Sequence, residues 1–315
     1  MGKQEKIILR RIANTIIANL STQCSGKLAI SLFLYKYSEY VEEPSYEDTA
    51  TILIKEVLSN IKKDARPHPI YSLVEIGVGL IRLIINDYLE DSDNSHILCK
   101  IDEVVFSDNN SITTTEIYSP TLYLIYRLKY YPKNFDIRYL HVFISHVYSY
   151  EDEDLLVFTK DPTPLCLILC LCMIVKNKYR NEIKGLTVII DKIILSLDCY
   201  EKDLFYESRL AYYSLTMASG MTPKYDHIYS NICSFIDTIK YEKEPQLYYT
   251  DSWLLMLFNF KSISLADDLL VYIDEQLRDS FYDPYLSPLR LAGIGLLLLT
   301  NKNHKNEKIE FTVTD

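Results

Sequence analysis

The chain has 315 residues, of which 48% are hydrophobic and 24% charged, the balance of a folded domain and not of a disordered chain. Only 8 glycines argue against an all-β chain or a dinucleotide-binding α/β sheet, whose turns and phosphate loops use more. A net charge of −10 excludes non-specific nucleic-acid binding, which runs on Lys and Arg neutralising phosphates.

From the first residues onward, apolar side chains recur at three- and four-residue spacings, the helical period. Ile7, Ile8 and Leu9 are followed at once by Arg10 and Arg11, so no signal-peptide core is expected there. Leu28, Leu32 and Tyr35 make the next face, and Glu42-Glu43-Pro44-Ser45 reads as a helix stop followed by a cap. Ile52, Val57, Leu58 and Ile61 resume the pattern. Further breaks are expected near 64–69, 90–93, 107–116, 131–134, 149–161, 178–181, 198–203, 219–223, 242–245, 261–264 and 279–287. About fourteen helices of roughly three to four turns result. The longest apolar run, 165–175, is shorter than the ~20 residues a bilayer span takes, so no membrane span is expected.

Alternate helices differ in character. The stretches 26–37, 73–85, 120–128, 164–174, 210–218, 253–258 and 289–299 are nearly free of charge, whereas 266–278 carries Asp267, Asp268, Asp274, Glu275 and Arg278 on one side. A helix apolar all round is buried, and one with a polar face sits outside. The apolar set recurs about every 40–50 residues, the span of helical-hairpin repeats. Stretch 289–299 needs cover on both flanks, whereas the last repeat of an open solenoid carries a polar capping face. The expected fold is therefore all-α: one domain over 1–315, a closed α/α toroid of about seven hairpins with seven inner and seven outer helices, and a polar tail at 301–315.

Several residue sets are candidates for chemistry. The seven cysteines are odd in number and scattered, unlike a disulfide framework, and a reduced cytoplasmic protein is expected. Cys166 and Cys170 share a helical face beside Cys172; such a pair suits either a soft metal or plain packing. An acid recurs near the start of several inner helices, at Glu75, Glu116, Asp161, Glu207 and Asp251. Carboxylates there favour the helix dipole, and a pair such as Glu207 with Asp251 also suits acid–base work on a glycan. His141 and His146 are five apart, off the i, i+4 face of a helical metal pair. Neither a phosphate loop nor a G-x-S-x-G elbow occurs. Tyrosine is abundant at 27 residues, with clusters that include Tyr206, Tyr212 and Tyr213, then Tyr248 and Tyr249, near Trp253. Rings with a polar tip suit peptide-binding surfaces.

Three stretches stand out: Gly26-Lys27-Leu28-Ala29-Ile30, followed by Phe33-Leu34-Tyr35-Lys36-Tyr37-Ser38; Glu75-Ile76-Gly77-Val78-Gly79-Leu80; and Leu291-Ala292-Gly293-Ile294-Gly295-Leu296. They resemble the lanthionine synthetase C-like family of thioether-forming cyclases. The resemblance implies the same ring of seven inner and seven outer helices. The family holds zinc through a Cys at the start of the fifth inner helix and a Cys-His pair at the start of the sixth. Here Phe205 stands at the first position, beside Tyr206, and Tyr248-Tyr249-Thr250-Asp251-Ser252-Trp253 at the second. A catalytic zinc takes three thiolate, imidazole or carboxylate ligands. No zinc at these positions, no other cofactor and no cyclase activity are expected. The expected role is binding of a peptide, or of a partner enzyme in a peptide-modification pathway, through Tyr206, Tyr249 and Trp253. The alternative is an enzyme using Glu207 and Asp251 on a carbohydrate or peptide.

Overall fold

The computed structural model describes residues 3–20, 26–63, 70–106, 117–150, 162–179, 185–198, 227–228, 230, 274–275, 277 and 287–303. Among the described residues there are ten long helices and no strand. They are α1 (Lys3–Ala18), α2 (Lys27–Val41), α3 (Pro44–Lys63), α4 (Ile70–Ile84), α5 (Asp91–Val105), α6 (Tyr118–Tyr130), α7 (Ile137–Tyr148), α8 (Thr163–Lys178), α9 (Leu186–Asp198) and α10 (Pro288–Asn303). None is long and apolar enough to cross a membrane. The chain divides into two compact units, Met1–Pro67 with Leu247–Asp315 and His68–Gln246.

In the first unit α2 packs against α3 and α10, and α1 against α10. Helix α2 is buried on nearly every side, from Leu28 through Tyr35 and on to Tyr37, as its mostly apolar sequence predicts, and buried Lys27 pairs with Glu56 of α3. Burying a Leu or Phe side chain contributes roughly 1.5–3 kcal/mol, so this one helix anchors its neighbours. At Gly295 of α10 an added Cβ would lie 2.3 Å from Cε2 of Phe33 on α2. The glycine leaves room for the ring edge, so the two helices approach closely. Phe33 is fully buried and stacks on Tyr37, with centroids 5.8 Å apart.

The junction between α2 and α3 differs from the expected stop and cap. Glu42 takes a left-handed conformation, φ 58 and ψ 38, and its N–H donates to the Ser38 carbonyl. The Glu43 N–H reaches the same carbonyl at 3.2 Å, closing α2 as a glycine usually does. Pro44 then opens α3, a position where its missing N–H forfeits no helical bond. Ser45 is not the cap; it lies in the first turn, and its hydroxyl donates to Glu43 at 3.1 Å.

In the second unit α6 packs between α4 and α8, with α5 on α4 and α9 on α8 and α7. Helix α6 is buried from Pro120 through Leu128, and α8 from Thr163 through Met173. Helix α7 instead buries only Leu140, Phe143, Ile144 and Val147 and starts on an Asp136 cap that accepts the Arg138 N–H. Gly77 of α4 repeats the close approach seen at Gly295: a Cβ there would lie 2.5 Å from Cε2 of Tyr123 on α6.

Helix α4 ends at Ile84, several residues before the break expected at 90–93. Asp87, at φ 61, turns the chain. Its N–H donates to Ile84 and that of Tyr88 to Leu83, both at 3.0 Å, the paired bonds of a helix end. Aspartate tolerates this conformation better than most residues with a side chain, so the stop carries no glycine or proline signal. The expected helices over 210–218 and 253–258 lie outside the described residues.

Candidate functional site

Tyr206, Tyr249 and Trp253, the expected binding residues, and Glu207 and Asp251, the alternative acid pair, lie outside the described residues. So do Phe205 and Thr250, at the family's zinc positions, and the acids Glu116 and Asp161. Of the five expected helix-start acids only Glu75 is described. It stands in the second turn of α4, half-buried, and not at the helix start.

The cysteine cluster is described in full. Cys166, Cys170 and Cys172 are buried within α8. Burial pushes the thiols of Cys170 and Cys172 up to about 12. Both thiols stay protonated at neutral pH, and nucleophilic attack needs the thiolate. Their burial within α8 fits a packing role. Among the described residues no three His, Cys, Asp or Glu side chains are grouped to hold a metal ion. His146 of α7 lies edge-on to the Tyr150 ring at 5.1 Å.

The densest polar cluster is one that the sequence does not announce. Arg127, on the mostly apolar α6, is 0% exposed and Asp102 of α5 is 1% exposed. The Arg127 guanidinium donates to Asp102 through Nε and Nη2, at 3.1 and 3.0 Å from Oδ2. The Tyr123 hydroxyl donates to Oδ1 of the same carboxylate at 2.6 Å. Through Nη1, Arg127 also donates to the carbonyls of Tyr131 and Lys133, and the rings of Tyr131 and Phe135 lie 5.3 and 5.4 Å from its Cζ. Burial pushes the Asp102 carboxyl up, and Arg127 and Tyr123 pull it back. The Tyr123 phenol is raised by burial and by the carboxylate beside it. Two Arg donors and a tyrosine hydroxyl on one carboxylate are what make a buried ion pair tolerable. The node is sealed from solvent and clamps the turn between α6 and α7. A lone arginine inside an apolar helix was its one signal in the sequence, because such a residue is seldom fully buried unless paired.

That clamp fixes Tyr131, and Tyr131 forms one wall of a hollow of about 710 Å³ lined by Ile84, Asp87, Tyr88, Leu89, Glu90 and Asp91. The Tyr131 hydroxyl donates to Oδ1 of Asp91, and Lys133 Nζ lies 2.5 Å from Oδ2. Asp87 and Glu90 are exposed at the rim. Three carboxylates give the hollow a negative potential that favours cations. Among the described residues its lining holds no Cys, His, Ser or Thr. The sequence reading took 90–93 only as a helix break, since the hollow depends on where α4 stops.

No protein-family model, no curated protein and no solved structure matches the chain.

Proposed function

We propose that the chain is a lanthionine synthetase C-like α/α toroid without cyclase activity, which binds a peptide or a partner enzyme of a peptide-modification pathway. The observation that carries this reading is a contrast between two sets of motif positions. Gly77 and Gly295, from the motifs that resemble the family, sit where a neighbouring aromatic ring needs their space. The positions that would hold the family's zinc carry Phe205 and Thr250 with their non-ligating neighbours. Glycines that serve packing are kept, and the residues that serve the metal are replaced. The packing of α10 beside α2 supports closure of the ring, because it is the neighbour relation a toroid requires between its last and first inner helices. A fold of this kind does not by itself carry a reaction; the site does.

The test uses the purified full chain, with and without a chelator, against labelled peptides rich in Ser, Thr and Cys. Binding that survives the chelator and weakens at least tenfold in Trp253→Ala and Tyr249→Ala supports the proposal. Stoichiometric zinc with thioether formation on a dehydrated peptide contradicts it. Hydrolysis of a glycan or peptide that disappears in Glu207→Gln or Asp251→Asn favours the carboxylate enzyme instead.

A further inference from the structure

We draw no further inference here: the strongest candidate, the cation pair of Arg82 and Lys129 over the Tyr130 ring at the C-terminal ends of α4 and α6, identifies no ligand, because cations in the last helical turn answer the negative end of the helix dipole and the unpartnered Nε of Arg82 is buried beyond a ligand's reach.

Discussion

The same device holds buried helices together in both units, yet the ring it accommodates is anchored differently. In the first unit Gly295 receives Phe33, an apolar ring held by stacking on Tyr37. In the second, Gly77 receives Tyr123, whose hydroxyl needs Asp102, which in turn faces Arg127. An apolar anchor loses stability in proportion to the contacts removed. A buried polar anchor fails more abruptly, since each partner lost leaves another group desolvated and unsatisfied. At this contact the second unit therefore concentrates its sensitivity in three residues, and the first spreads it over a packed surface.

The largest effect should come from Asp102→Ala. It leaves the Arg127 guanidinium buried without its carboxylate, a loss of about 3–5 kcal/mol. Urea unfolding should show the midpoint collapsing, and a loss below about 1 kcal/mol would mean that Arg127 finds water or another acceptor. Tyr123→Phe keeps the ring against Gly77 and removes only the hydroxyl. A loss of about 1–2 kcal/mol is expected, measured in the same titration, and an unchanged midpoint would reduce Tyr123 to the apolar role of Phe33.

A smaller effect of opposite sign tests the helix ends. Glu42 occupies a left-handed position that costs a residue with a side chain about 1–2 kcal/mol, partly offset by the greater freedom glycine has when unfolded. Glu42→Gly should raise stability by about 0.5–1 kcal/mol, seen as a higher thermal midpoint.

Titration of the buried thiols should leave stability unchanged at neutral pH and lower it increasingly in alkali. Cys170 and Cys172 have thiols raised from 9.0 to about 12 in the folded protein. Above the unfolded value the unfolded chain releases protons that the folded state retains, so stability is full below about 9 and declines as pH climbs toward about 12. Replacing both cysteines with Ala should flatten that decline, followed by denaturation at stepped pH. At pH 8 a thiol reagent should label the half-exposed Cys99 quickly and the α8 thiols only as fast as the protein opens.

Much of the helical order was legible in the sequence because charge-free and amphipathic stretches alternate so strictly. Helices α2, α4, α6, α8 and α10 fall within or around the stretches expected to be buried. The ends were less legible where an acidic residue does the work usually given to glycine: Asp87 and Glu42 turn the chain with no glycine or proline at the turning position itself. Asp102 and Arg127 were missed because a contact between residues on different helices leaves no periodic trace. The motif glycines were read as family marks, and only the geometry assigns Gly77 to Tyr123 and Gly295 to Phe33. The hollow beside Asp91 was invisible for the same reason as the end of α4.

Gly77 and Gly295 are clefts for a neighbouring ring, so these two positions record how helices pack. The most direct measurement is a double-mutant cycle at Gly295 and Phe33, read as unfolding free energy. In the native background Gly295→Ala should lose about 1–3 kcal/mol to overpacking, since its Cβ would meet ring atoms at 2.3, 2.7 and 2.9 Å. In the Phe33→Leu background the ring edge is gone, and the same change should be neutral or gain up to about 1 kcal/mol from the better helix propensity of alanine. An equal loss in both backgrounds would contradict the account.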